Sequence, residues 1–205
     1  MRQERRLSGR SLVFSVIAAG VVILDQVSKW AAVAGLTQAF AAEGSLGFGE
    51  KLSRFLWDRH PARDAAVSVL DDFWHFRYVE NPGAAWGFLS GSASALRTPF
   101  FLLVSLFAMG FIITYFRRTT PGQGLLRAGL ALVFGGAIGN FLDRVRLGYV
   151  IDFIDWHWYD KATWPTFNVA DAAITVGVLI LLLEMFLQKP EDTALAKPAK
   201  AGRAG

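Results

Sequence analysis

The sequence predicts a mainly α integral membrane protein with four transmembrane helices and a small extracytoplasmic sheet. Three observations carry that prediction. Hydrophobic residues make up 53% of the 205 residues and the mean hydropathy is positive, whereas apolar residues including Gly account for about 45–50% of an ordinary soluble domain. Four stretches reach the roughly 20 apolar residues that a helix needs to cross about 30 Å of hydrocarbon. The basic residues sit in short clusters beside those stretches and form no aromatic-interleaved stripe, so the net charge of +4 informs topology, and nucleic acid is not an expected partner. The lack of cysteine excludes disulfides, thiolate nucleophiles, Cys-ligated zinc and iron–sulfur clusters.

The first span runs from about Leu12 to Leu36, preceded by Arg2, Arg5, Arg6 and Arg10. A cleaved signal peptide ending near Ala32-Val33-Ala34 is the competing reading. The run is too long for the apolar region of such a peptide and carries Asp25 and Lys29, which argues for a retained helix. A long connection, 37–95, follows, rich in Gly and charge from Ala41 to Asp72. It then changes to Phe73-Trp74-His75-Phe76-Arg77-Tyr78-Val79, an aromatic, β-favouring run suited to the membrane surface.

The second span, Leu96 to Phe116, is followed by Arg117 and Arg118, and the third runs from Leu125 to Leu142. Between it and the fourth span, Asn168 to Leu187, lies a second candidate strand, Tyr149 to Ile154. Lys189, Lys197, Lys200 and Arg203 close the chain. The positive-inside rule therefore places both termini and the second-to-third connection in the cytoplasm. Residues 1–190 read as one membrane domain, and 191–205, rich in Ala, Lys and Pro, as a disordered tail.

This topology gives the polar residues of the spans a common depth. Asp25 and Lys29 lie in the second half of an outward-going helix, Asn140 and Asp143 end another, and Asn168 and Asp171 begin an inward-going one. Asn81, in Asn81-Pro82-Gly83-Ala84-Ala85, precedes the second span on the same side. Membrane proteins tolerate such groups by burying them against one another. Several have structural readings. Asp25 and Lys29 at i and i+4 form an ion pair on one helix face, Gly135 and Gly139 allow close helix packing, and Asn81-Pro82-Gly83 forms a turn. Asp143 with Arg144 reads as a helix-end charge pair. His157, among Trp156, Trp158 and Trp164, reads as an interfacial residue and not a ligand. Without an HExxH spacing a zinc protease is not expected, and no metal is assigned.

Asp152 and Asp171 resist a structural reading. A charged Asp at the bilayer centre costs about 2.5–3.5 kcal/mol, and neither residue has an obvious local cation. If folding brings them together, repulsion and low dielectric would raise one pKa and leave the other group ionised, the acid and base pair of an aspartic protease. A transporter or proton relay is the alternative that Asp25 and Lys29 suggest, but it predicts polar residues through the whole bilayer depth, and the inner halves of these spans are almost purely apolar. A non-enzymatic lipid-binding scaffold is a third reading.

Five blocks carry a family resemblance: Leu24 to Lys29, Asn81 to Ala85, Gly135 to Arg144, Val150 to Phe153, and Phe167 to Asp171. In that order they resemble bacterial lipoprotein signal peptidase, or signal peptidase II. The resemblance implies a four-helix aspartic protease of the bacterial cytoplasmic (inner) membrane, with a small periplasmic β-cradle and the site at the outer leaflet. It implies cleavage of diacylglyceryl-modified prolipoproteins just before the lipidated cysteine, with no cofactor and with sensitivity to globomycin-type inhibitors; membrane lipids are expected neighbours, and a monomer is the expected state. Matched block by block, the catalytic residues are Asp152 and Asp171. The substrate-binding or supporting residues are Asp25, Lys29, Asn81, Gly83, Asn140, Asp143, Arg144, Asn168 and Ala170. The first connection is longer than the family pattern, and its excess, about 41–71, reads as a solvated insertion, with a lid or a docking surface as the other readings.

Overall fold

The computed structural model describes residues 2–41, 45–60, 63–83, 94–159 and 161–187. Ala84, Ala85, parts of the 41–71 stretch and the 191–205 tail lie outside the described residues. Among the described residues, four helices are long and apolar enough to cross a membrane: within α1 (Arg2–Leu36), α3 (Ser94–Arg117), α4 (Gly124–Leu147) and α5 (Val169–Leu187).

The burial pattern of α1 shows how a membrane helix can carry charge. Phe14, Ala18, Val21, Asp25, Lys29, Ala32, Val33 and Leu36 are buried, at the i, i+3, i+4, i+7 spacing of one helical face. Val13, Val16, Ile23, Leu24 and Val27 are exposed to the surroundings. Asp25 and Lys29 therefore lie on the face that meets the other helices, as intramembrane ionisable residues require.

Helix α4 packs between α1 and α5, and its glycines set the spacing. A Cβ at Gly135 would come 2.7 Å from the Ala18 carbonyl oxygen of α1, and one at Gly136 would come 2.5 Å from that of Ala170 in α5. Lower down the α4–α5 seam, a Cβ on Gly177 would lie 2.8 Å from the Gly129 carbonyl oxygen. Backbones that close exclude any larger residue, the usual role of small residues at membrane helix interfaces.

Helix α4 continues to Leu147, five residues past the end expected from the apolar run. Asp143, Arg144 and Arg146 interrupt hydropathy without interrupting helix, because their charges find partners inside the protein. The helix ends at Gly148, whose φ of 80° is the left-handed cap conformation and whose N–H bonds to the Arg144 carbonyl at 3.1 Å.

At the end of the bundle where α1 and α4 finish and α5 begins lies an antiparallel sheet. Its order is β1 (Val67–Leu70), β2 (Trp74–Asn81), β3 (Val150–Trp158) and β4 (Ala162–Thr163). Strands β2 and β3 fulfil the two strand expectations, running somewhat further than the hydropathy suggested. Their register sets Val79 opposite Asp152 and Asn81 opposite Val150, so β2 delivers Asn81 beside Asp152.

The reading of about 41–71 as a solvated insertion needs correction. It contains α2 (Phe48–Trp57) and β1. Phe55 of α2 is buried in a cluster with Val33, Leu36, Leu147, Tyr149 and Ile151, its ring edge-on to Trp30 at 5.3 Å. The segment is docked on the core through one face while Phe48, Leu52 and Trp57 stay exposed.

Candidate active site

Asn168 organises the site. It immediately precedes α5, where its Oδ1 accepts the Asp171 N–H at 3.0 Å and its own N–H donates to Asp171 Oδ2 at 3.3 Å, a reciprocal cap of the helix start. Its side-chain amide also donates to Asp152 Oδ1 at 2.6 Å, to Asn140 Oδ1 at 3.1 Å and to the Ile151 carbonyl at 3.3 Å. One residue thus bonds to both carboxylates named by the sequence. Asp152 receives a second bond from Asn81 Nδ2 at 2.9 Å, and Asp171 one from Asn140 Nδ2 at 2.7 Å.

Behind this layer lies a buried ion cluster. Lys29 Nζ is 2.8 Å from Asp25 Oδ2, 2.7 Å from Asp143 Oδ2 and 3.2 Å from Asn140 Oδ1, so its three donors are all engaged. Asp25 Oδ1 accepts the Ala170 N–H at 3.0 Å, and Asp143 Oδ2 accepts the Ile151 N–H at 3.2 Å. The same lysine that fixes Asn140 Oδ1 leaves Asn140 Nδ2 facing Asp171. The orientation of that amide follows from Lys29 being only a donor.

The predicted residues therefore form one network, with changes of partner. Asp25 and Lys29 do pair, but across to α4 as well as along α1. Asp143 pairs with Lys29 and with Arg146 at 2.6 Å, which replaces the expected helix-end pair with Arg144. Arg144 turns the other way: it bonds to the Gly83 carbonyl at 3.4 Å and its guanidinium lies 5.1 Å from the Phe101 ring centroid. There it stands within electrostatic reach of Asp171 and Asp152, supplying the cation that neither aspartate has in its local sequence. Asn81 is both turn and site, because its Oδ1 caps the Gly83 N–H at 3.0 Å while its Nδ2 holds Asp152.

Two participants carried no expectation. Gln26 donates to Asp25 Oδ2 at 3.1 Å and to Asp143 Oδ1 at 3.2 Å, and its Oε1 accepts from Arg146 at 3.0 Å. Arg146 in turn lies 4.8 Å from the Phe55 ring centroid. The i, i+3 spacing of Asp143 and Arg146 was the available signal. Gln26 had none beyond adjacency to Asp25.

The electrostatics separate the two carboxylates. Asp152, at 1% exposure, has its pKa pushed up to about 7, first by burial and second by the neighbouring Asp171 charge. The bonds from Asn81 and Asn168 and the charge of Lys29 oppose that rise without cancelling it. Asp171 and Arg144 are only partly buried, so the network opens on their side.

A family model described as signal peptidase (SPase) II matches residues 17–187. The chain belongs to the signal peptidase II family. It is accordingly a protease, and its four apolar helices make it a multi-pass membrane protein. Among relatives of this signal peptidase II chain, the lipoprotein signal peptidase of Anaeromyxobacter sp. (strain Fw109-5) is 44% identical over 183 residues, 87% of each chain. That of Geobacter sulfurreducens is 38% identical over 86% of this chain and 93% of its own length. A solved bacterial membrane enzyme superimposes with a TM-score of 0.62 at 27% identity, covering 93% of this chain and 94% of the other. The aspartate-based reading of the sequence agrees with membership of this family.

Proposed function

We propose that Asp152 and Asp171 hydrolyse the peptide bond that precedes the diacylglyceryl cysteine of a prolipoprotein, at the outer leaflet of a bacterial inner membrane. The observation that carries the reading is the bridging of both carboxylates by Asn168, with the more buried of the two raised to about 7. In this reading Asp152, the more buried carboxyl with its pKa pushed up, is the proton donor and Asp171 the base. Asp171 takes a proton from a water as that water's oxygen bonds to the scissile carbonyl carbon, and Asp152 gives its proton to the carbonyl oxygen. In collapse of the gem-diol, Asp152 recovers a proton from one hydroxyl. Asp171 passes its proton to the amide nitrogen, the C–N bond breaks, and the starting protonation state is restored.

Asn81 and Arg144, both part-exposed, border the open side and with the buried Gly83 and Asn140 bind or align the substrate backbone, while Asp25, Lys29, Asp143, Asn168 and Ala170 hold the carboxylates in place. A lipid-anchored substrate suits this arrangement, because tethering at bilayer depth makes attack effectively intramolecular. Both termini lie in the cytoplasm by the distribution of Arg and Lys. The enzyme acts as a monomer without a cofactor and is inhibited by globomycin-type peptides that occupy the same cleft.

The test is cleavage of a diacylglyceryl-modified prolipoprotein peptide by the purified enzyme. Asp152→Asn and Asp171→Asn should each lower turnover by about 10²–10⁴-fold while the protein remains folded. Full activity in either variant would sink the assignment.

A further inference from the structure

A second polar constellation lies on the same strand as Asp152, further from the helices. The β2–β3 register sets His75 directly opposite Asp155. His157 lies two residues along β3 and so projects from the same face as Asp155. One ligating atom from each of His75, Asp155 and His157 lies within 4.8 Å of the others, and the two imidazole centroids are 4.3 Å apart. The Asp155 side chain is 8% exposed, and its Oδ1 is buried with no hydrogen-bond partner among the described residues. A carboxylate oxygen withdrawn from water and left unpaired is a position that a ligand would satisfy.

We propose that His75, Asp155 and His157 bind a divalent transition cation, zinc foremost, which staples β2 to β3. Two imidazoles and one carboxylate suit zinc, copper or nickel better than the oxygen-seeking magnesium and calcium. Zinc–nitrogen and zinc–oxygen distances of about 2.0–2.2 Å place neighbouring ligands about 3.3 Å apart, and modest rotation of the two half-buried rings brings these atoms to that spacing. The fourth position faces solvent and takes water. Arg77 completes the surroundings: its Nε is 3.2 Å from Asp155 Oδ2, which orients the carboxylate and leaves Oδ1 for the metal. Outer partners of this kind commonly fix metal-binding carboxylates. Half-exposed, Arg77 also keeps most of its charge in solvent. This assignment departs from the reading of His157 as only an interfacial residue. It gives the sheet a fastener on the two strands that deliver Asn81 and Asp152.

Calorimetric titration of the full-length, tag-free protein in detergent micelles with Zn²⁺ alone tests the proposal. One equivalent should bind with micromolar or tighter affinity at neutral pH, and the unfolding temperature should rise in a manner reversed by chelation. His75→Gln, Asp155→Asn and His157→Gln should each weaken binding by at least about tenfold. His157→Cys, which supplies another zinc ligand, should retain it. Asp152→Asn and Asp171→Asn should leave the stoichiometry at one. No binding by the parent protein, binding that survives all three ligand substitutions, or binding lost with Asp152→Asn would overturn the site.

Discussion

Lys29 and Asp143 meet at 2.7 Å with both side chains wholly excluded from solvent, and this contact fastens α1 to α4. Because Asp25 shares the same ammonium, two buried carboxylates depend on one cation. Removing one partner of a buried pair is destabilising by about 3–5 kcal/mol, since the charge left behind has neither water nor a counterion. Lys29→Met should therefore lower stability by that amount in chemical unfolding from micelles. The double variant Lys29→Met/Asp25→Asn should recover part of the loss, and a double variant no more stable than the single would contradict the shared-cation account.

Asn168→Ala removes the helix cap and the side-chain amide that holds Asp152, while the backbone N–H that donates to the Asp171 carboxylate remains. Loss of a cap costs about 0.5–2 kcal/mol and each buried partner left unsatisfied about 1–3 kcal/mol. A drop of roughly 2–4 kcal/mol in stability should accompany near-complete loss of peptide cleavage. Asn168→Asp keeps the cap but places a third carboxylate beside the pair. It should regain stability less than it regains helix content by circular dichroism, and it should not regain activity.

The raised pKa of Asp152 gives stability a definite sign with pH. Its folded value of about 7 exceeds the ordinary 3.8, so the folded state holds this proton more tightly than the unfolded chain does. The group's contribution is therefore greatest at acid pH and declines as pH rises from about 4 through about 7. Over that window the stability of the parent relative to Asp152→Asn should fall by up to about 4 kcal/mol. Parallel curves for the two proteins would disprove the shift. In the proposed mechanism protonated Asp152 is the acid, so kcat/KM of the parent should decline above about pH 7 by about tenfold per pH unit.

Glycine substitutions test the close approach of the helices. A Cβ at Gly139 would lie 2.5 Å from Asp25 Oδ2 and 3.2 Å from the Ala170 side chain. Gly139→Ala should cost about 1–3 kcal/mol and lower turnover, because it pushes Asp25 off the Ala170 N–H. Gly20→Ala is the control: nothing lies within 4 Å of its Cβ position. It should be neutral or stabilising by up to about 1 kcal/mol in thermal unfolding.

The spans and the carboxylate pair were legible in the sequence because both are large signals: long apolar runs, and charge where charge is costly. What was not legible depends on which face a residue takes. The segment Phe48-Gly49-Glu50-Lys51-Leu52-Ser53-Arg54-Phe55-Leu56-Trp57 places apolar residues at i, i+4, i+7 and i+8, a helical signature. Surrounding glycine and charge hid it, and only the packing of Phe55 on Trp30 and Leu147 gives it a place in the core. Asp143 illustrates the other difficulty. Its neighbour Arg144 is the obvious partner in sequence, yet consecutive helical residues diverge by about 100°, so Asp143 faces Lys29 while Arg144 faces Gly83. Adjacency in the chain is poor evidence of contact on a helix.

The bond from the Ala170 N–H to Asp25 joins residues 145 positions apart. Ala170 and Asp171 lie in α5 and Asn168 immediately before it, the last part of the described chain to leave the ribosome. Until it inserts, Asp25 lacks its backbone donor, Asp152 lacks the amide of Asn168, and the second carboxylate is missing. If Asp152 and Asp171 are the catalytic pair proposed above, a nascent chain lacking the final helix should not cleave peptide, because the hydrogen bonds that join both carboxylates form only once that helix is in place.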